Sequence, residues 1–236
     1  MPQQDNNETT VLLARGKNCG NVTNPINGSV TYVETTYDET ANYSCDTGYN
    51  LSGNMSRTCQ AHGDWSGEAP SCIIVDCGNV TNPINGSVTY VETTYDETAN
   101  YSCDTGYNLS GNMSRTCQAS GNWSEEAPSC IIVDCGNVTN PINGSVTYLK
   151  TTYDETANYS CDTGYNLSGN MSRTCQASGN WSEEAPSCII VDCGNVTNPI
   201  NGSVTHVETT YNETTHYSCD TGYNLHGNIS RTCQAN

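Results

Sequence analysis

The sequence predicts an all-β chain made of small disulfide-rich modules strung end to end in an elongated array. Three observations predict it: the cysteine content, an internal repeat, and period-two alternation within the repeat. The chain has 236 residues, 15 of them cysteine, with 34% apolar residues and no Phe. That composition cannot fill one large core, but it can fill several small cores closed by covalent links. CGNVTNPINGSVTY begins at Cys19, Cys77 and Cys135, and CGNVTNPINGSVTH begins at Cys193, a period of 58 residues. Units two and one differ at three positions, and units two and three at two.

The repeat divides the chain into an N-terminal segment, 1–18, expected to be disordered, and four modules at 19–72, 77–130, 135–188 and 193–236. The fourth is expected to be truncated, because its fourth cysteine is absent and the cysteine total is odd. Connectors such as Ile73-Ile74-Val75-Asp76 are four residues long. They are too short to act as long flexible linkers, so neighbouring modules should touch and keep some hinge freedom.

Within module 1, Asn27-Gly28 reads as a hairpin turn, since both residues tolerate positive φ. Val30 and Tyr32 then alternate with polar residues, as do Ala41, Tyr43 and Cys45, and less cleanly Met55, Arg57 and Cys59. Gly48, Gly53 and Gly63 punctuate these segments. No stretch has helical periodicity, and Thr, Tyr and Val are plentiful, as strands favour.

Charge and spacing exclude several functions. The net charge is −18, with seven Lys and Arg, which disfavours nucleic acid, heparin-like polymers and anionic membranes. No run of 18 apolar residues is present to span a bilayer, so no direct membrane contact is expected. Zinc, the cytosolic reason for many cysteines, is excluded by the lack of any C-x-x-C pair and the scarcity of His. Disulfides persist in oxidising compartments, so the chain is expected to work outside the cell or on its surface. The longest apolar run near the N-terminus is Val11-Leu12-Leu13-Ala14, too short for a signal peptide. The sequence is therefore expected to be part of a longer secreted or membrane-anchored protein.

Each complete module runs C19…P25-x-N27-G28…Y43-x-C45-x-x-G48-Y49-x-L51-x-G53…T58-C59…G63-x-W65…P70-x-C72. This pattern resembles the sushi module, also called the complement control protein module, and covers nearly the whole chain from Cys19. One departure is the stretch Tyr37-Asp38-Glu39-Thr40, where the family often has a Gly. Four cysteines allow three pairings, and spacing does not choose among them. The resemblance implies first-to-third and second-to-fourth links. These are Cys19–Cys59 with Cys45–Cys72, Cys77–Cys117 with Cys103–Cys130, and Cys135–Cys175 with Cys161–Cys188. Module 4 would form Cys193–Cys233 and leave Cys219 unpaired. Trp65, Trp123 and Trp181 are expected to be core residues packed on a disulfide, because a small core has few other large side chains.

No catalytic or cofactor-binding set is found. His62, His206, His216 and His226 each stand where the other modules have Ser, Tyr or Asn, so none keeps the fixed partners a metal site or base needs. The pair Asp38-Glu39 and its copies are expected to form a solvated acidic surface, since adjacent strand residues face opposite ways and cannot share one calcium ion. Sequons are dense. The glycosylation candidates are Asn21, Asn27, Asn42 and Asn54 in module 1, and Asn79, Asn85, Asn100 and Asn112 in module 2. Module 3 has Asn137, Asn143, Asn158 and Asn170, and module 4 has Asn195, Asn201, Asn212 and Asn228. Crowding limits the expectation to two or three occupied sites per module.

The resemblance implies extracellular recognition of a protein ligand or receptor, as in adhesion or complement regulation. Near-identical copies would repeat one weak site. Two alternatives are a glycosylated spacer or stalk and a non-catalytic segment of a larger secreted enzyme. The differences at His62, Asp64 and Gly67 fall in one loop, which suits a diversified contact.

Overall fold

The computed structural model describes residues 16–235. Most of the N-terminal segment expected to be disordered, and Asn236, lie outside the described residues. Among the described residues the chain forms strands and no helix. Module 1 contains β1 (Gly28–Thr31), β2 (Thr40–Cys45), β3 (Tyr49–Ser52), β4 (Ser56–Thr58) and β5 (Ser71–Ile74). Module 2 contains β6 (Gly86–Thr89), β7 (Thr98–Cys103), β8 (Tyr107–Ser110), β9 (Ser114–Thr116) and β10 (Ser129–Ile132). Module 3 contains β11 (Gly144–Thr147), β12 (Thr156–Cys161), β13 (Tyr165–Ser168), β14 (Ser172–Thr174) and β15 (Ser187–Ile190). Module 4 contains β16 (Gly202–Thr205), β17 (Thr214–Cys219) and β18 (Ser230–Thr232).

Contacts group the chain into two units. One runs from the first described residue to Ser102 and adds Gly111–Pro128; the other is Cys103–Ser110 with Ser129 to the last described residue.

Module 1 shows the plan. A three-stranded antiparallel sheet has the order β1-β2-β4, and β3 pairs with β5 in a second, two-stranded sheet. Module 3 repeats both sheets, as β11-β12-β14 and β13-β15. The central strand carries the core. Ala41 and Tyr43 are buried, while Asn42 and Ser44 between them are exposed. This is the period of two that alternating side chains impose. In module 3 the cluster is Ala157, Tyr159, Cys175 and Trp181, with Val146 and Leu167 against it.

The covalent frame joins Cys19–Cys59 and Cys45–Cys72 in module 1, and Cys135–Cys175 and Cys161–Cys188 in module 3. The remaining links are Cys77–Cys117, Cys103–Cys130 and Cys193–Cys233. Cys219 is a free thiol. Cys59, Cys117 and Cys175 are fully buried, so one sulfur of each first-to-third link is itself core.

Two turns differ from the sequence-based expectation. Asn27 takes φ 59° in a turn leading into β1, but Gly28 lies in β1 and no hairpin is made there. Gly28 is required for a different reason: a Cβ there would meet the Ser44 carbonyl oxygen and Cys72 Sγ. The pair Asp38-Glu39 sits in the turn before β2, not on a strand, so the argument from opposite strand faces does not apply to it. Asp38 takes φ 72°. Its short polar side chain tolerates the left-handed region in the stretch where the family often has Gly.

The edge strand β1 is shielded locally. The Val30 N–H donates to Asn24 Oδ1 at 2.9 Å, and Asn140 and Asn198 do the same for Val146 and Val204. An edge donor that would otherwise be open to pairing with another chain is thereby occupied.

Candidate functional site: module junctions and outer faces

The four-residue connectors are held at both ends. Ile73 and Ile74 belong to β5. The Val75 N–H donates to the Gly48 carbonyl and the Tyr95 N–H donates to the Val75 carbonyl, both at 2.8 Å. Asp76 bridges Thr94, and the Cys77 N–H donates to Thr93 O at 2.8 Å. Val75 itself is buried. Gly48, at φ +86°, lies against the Tyr95 ring, and a Cβ there would overlap the ring. The set recurs with Gly106, Val133 and Tyr153, and again with Gly164, Val191 and Tyr211. Ahead of module 1, Lys17 and Asn18 take the same path: the Tyr37 N–H donates to Lys17 O at 2.9 Å and Asn18 bridges Thr36.

Each junction also carries one buttressing carboxylate. Asp76 accepts from the Thr93 hydroxyl at 2.6 Å and from the Gly78 N–H at 2.8 Å. The Thr93 bond first, then the Gly78 bond, holds its carboxyl below the usual carboxylate range. Thr151 and Gly136 do this for Asp134, and Thr209 and Gly194 for Asp192. A carboxyl with a depressed folded-state pKa stabilises fully above its unfolded pKa, and that contribution is lost as pH falls through the folded pKa. The loss therefore belongs to acid below the ordinary Asp range. Module 1 supplies an internal control, because Asn18 stands in this place and makes the same two bonds to Gly20 and Thr35. In an NMR acid titration, the Gly78, Gly136 and Gly194 amide resonances are expected to move with a midpoint below the ordinary Asp value. The Gly20 amide should stay still. A Gly20 shift that tracks the other three would show that the carboxyls are not the cause.

The loop between the third and fourth cysteines is braced by an arginine whose role the sequence pattern does not signal. In module 3, Arg173 Nε donates to Ser182 O at 2.9 Å and Nη2 to Glu183 O at 2.7 Å. Arg57 and Arg115 hold the corresponding carbonyls in modules 1 and 2. Trp65, Trp123 and Trp181 each donate their indole N–H at 2.9 Å to a glycine carbonyl just after the first cysteine, Gly20, Gly78 and Gly136. Trp181 is 9% exposed and joins the core, whereas Trp65 and Trp123 are half-buried.

The remaining sequence candidates lie on the surface. Every glycosylation candidate, Asn21 through Asn228, is exposed. Asn42 and Asn158 project from the outer face of the central strand. Asn112 and Asn170 donate instead to the Glu125 and Glu183 carboxylates. His62 pairs only with exposed Asp64, at 3.5 Å. Among the described residues, no group of three or more His, Cys, Asp or Glu is arranged to hold a metal. No described helix is long and apolar enough to cross a membrane. Ile26, Val33 and Met55 are exposed, and so are their counterparts in the other modules.

Small antiparallel sheets, paired staples and a repeated junction define this as a tandem array of disulfide-stapled β modules. The chain belongs to the sushi repeat (SCR repeat) family, whose model matches residues 19–72, 77–130, 135–188 and 193–236. It is 39% identical over 201 residues to "Sushi, von Willebrand factor type A, EGF and pentraxin domain-containing protein 1" of Rattus norvegicus, covering 85% of this chain and 6% of that protein. It is 31% identical over 234 residues to E-selectin of Homo sapiens, covering 91% of this chain and 38% of that protein. P-selectin of Mus musculus is 32% identical over 203 residues, covering 81% of this chain and 26% of that protein. The chain thus spans less than half the length of these relatives. Disulfides of this density, in modules similar to those of the selectins, place the modules outside the cell.

Proposed function

We propose that the chain is an extracellular protein-binding array that acts in recognition or adhesion and does not catalyse. The observation that carries this reading is the repetition of one surface at a period of 58 residues. A weak contact made by one module is multiplied when several engage together, by a factor of about 10²–10⁴. The similarity to E-selectin and P-selectin, and the matching of module after module to the sushi family, support it. Charge narrows the partner. Arg57, Arg115 and Arg173 are committed to carbonyls of their own modules, and the net charge is −18. The surface on offer is acidic and suits a protein partner with a basic face. The chain would work in a secreted protein or in the ectodomain of a membrane protein.

A spacer role is the second reading, favoured by sequon asparagines exposed in every module. The two separate on valency. Chains of one, two and three modules, displayed on beads, are passed over an array of extracellular protein domains and over intact cells. Binding by contact predicts retention that climbs steeply with module number. Retention absent at every length leaves only the spacer.

A further inference from the structure

The sequon Asn137-Val138-Thr139 follows directly on a pinned turn of module 3. Cys135 is bonded to Cys175, the Gly136 N–H donates to Asp134 Oδ1 at 2.9 Å, and the Gly136 carbonyl accepts from the Trp181 indole N–H at 2.9 Å. Val138 packs against the core cluster, while Asn137 and Thr139 are exposed. The middle residue thus turns inward, and the asparagine and the hydroxyl residue of the sequon both turn outward.

An aromatic pair lies beside this asparagine. The Tyr148 hydroxyl donates to Asn137 Oδ1 in a long bond of 3.4 Å, and the Tyr148 ring centroid is 6.5 Å from that of Trp181, with the planes tilted by 58°. Rings at this separation and tilt attract one another. Trp181 belongs to the core and Tyr148 is 36% exposed, so the tyrosine keeps part of its surface in solvent next to Asn137. The hydroxyl bond takes Oδ1 and leaves Nδ2, the atom to which an N-linked sugar is joined. Asn170 in the same module is arranged the other way, because its Nδ2 donates to the Glu183 carboxylate. Module 4 keeps the sequon at Asn195 but has His206 in place of the tyrosine.

We propose that Asn137 is a glycosylation site whose first N-acetylglucosamine packs on the exposed part of the Tyr148 ring, so that module 3 carries an ordered glycan. In the transfer, Asn137 Nδ2 bonds to the anomeric carbon of an oligosaccharide held as a polyprenyl pyrophosphate. The bond from that carbon to the pyrophosphate oxygen breaks, the pyrophosphate keeps the electron pair, and one amide proton passes to a base of the transferase. A pyranose ring presents C–H groups on its faces, and laying one face on an aromatic ring removes apolar surface from water. Trp181 backs the tyrosine and is itself fixed by its bond to Gly136, so the ring is in place before the sugar arrives. A contact prepared in this way costs less ordering than one between two mobile groups. The inference holds whether the array binds a partner or acts as a spacer.

The test uses the full chain, secreted from eukaryotic cells behind an added leader. After reduction, trypsin releases residues 116–150, which carry Asn122, Asn137 and Asn143. Enzymatic removal of N-glycans in heavy-oxygen water, followed by fragmentation of this peptide, is expected to mark Asn137. Packing is read by hydrogen exchange in peptides that run through β11 to Leu149 and Lys150. Asn137→Gln should speed β11 exchange about fivefold, the factor for roughly 40 Å² of apolar surface returned to water. In a Tyr148→Ala background the same substitution should change nothing. Tyr148→Phe keeps the ring and loses the hydroxyl, so most of the glycan effect should survive in it. An unmarked Asn137 would overturn the proposal. So would an Asn137→Gln effect that is absent from the wild-type background, or one of equal size with and without the Tyr148 ring, since the sugar would then owe nothing to the tyrosine.

Discussion

Replacing Cys135 and Cys175 together with alanine is expected to unfold module 3 and leave module 1 folded. The link closes a separation of 40 residues, for which loop-closure entropy gives about 4 kcal/mol. A domain of this length has a total stability on the order of 3–8 kcal/mol. Hydrophobic burial cannot make up the loss, because the core cluster is small and Cys175 belongs to it. Alanine is chosen over serine so that no hydroxyl is left unsatisfied at the buried Cys175 site. Module 4 should weaken as well, since Tyr211 packs on Gly164 of module 3. In repeat arrays each unit's stability includes the interface with its neighbour. Hydrogen exchange read by mass spectrometry can follow this, because Leu149 and Lys150 distinguish module 3 peptides, and His62 and Asp64 those of module 1. Retained protection of β12 in the peptides that carry Leu149 and Lys150 would show that packing alone holds the module.

The parts of this fold legible in the sequence were those written in local pattern. Ala41 and Tyr43 alternate with polar neighbours, and both are buried, because strand period alone decides which face they take. Asn27 was legible as a left-handed turn residue, since that preference is local. Gly28 was not. Its constraint comes from Ser44 and Cys72, which are brought to it only by β1-β2 pairing and the second disulfide. Gly48 read as punctuation for the same reason: the Tyr95 ring it abuts is 47 residues away in the chain and belongs to the next module. Arg57 showed a weak place in an alternating segment and gave no sign of its two carbonyl partners, which sit in a loop of no periodicity. At the junctions, Asp76 was legible only as the end of a four-residue connector, because Thr93 and Gly78 are brought to its carboxylate by the fold.

Arg173→Met is expected to loosen the Trp181 loop and to cost module 3 about 3 kcal/mol, from two charge-assisted bonds to carbonyls at about 1.5 kcal/mol each. Among the described residues no carboxylate accepts from this guanidinium; its partners are the carbonyls of Ser182 and Glu183, a longer bond to Trp181 O, and the Tyr159 hydroxyl. The effect is thus one of backbone bracing, and salt should change it little. Glu183 sits at φ 52°, a conformation that costs a non-glycine residue about 1 kcal/mol or more. The Arg173–Glu183 bond helps hold it there, so loss of the arginine frees the residue to leave that region. Module 1 has Gly67 in the same place at φ 58°, where no Cβ is strained. Arg57→Met should therefore open its loop less than Arg173→Met opens the corresponding loop. Arg173→Lys should fall between wild type and Met, because one ammonium cannot span both carbonyls as the planar fork does. The readout is amide exchange at Thr174 and Ser182, whose N–H groups bond across the loop to Ser182 Oγ and Thr174 O. Exchange there should rise about a hundredfold in Arg173→Met if the full 3 kcal/mol is lost from local opening. The substituted peptide is recognised by its mass, which separates it from the identical wild-type stretch of module 2. Unchanged exchange at these two amides would mean that the indole bond and the strand pairing hold the loop without the arginine.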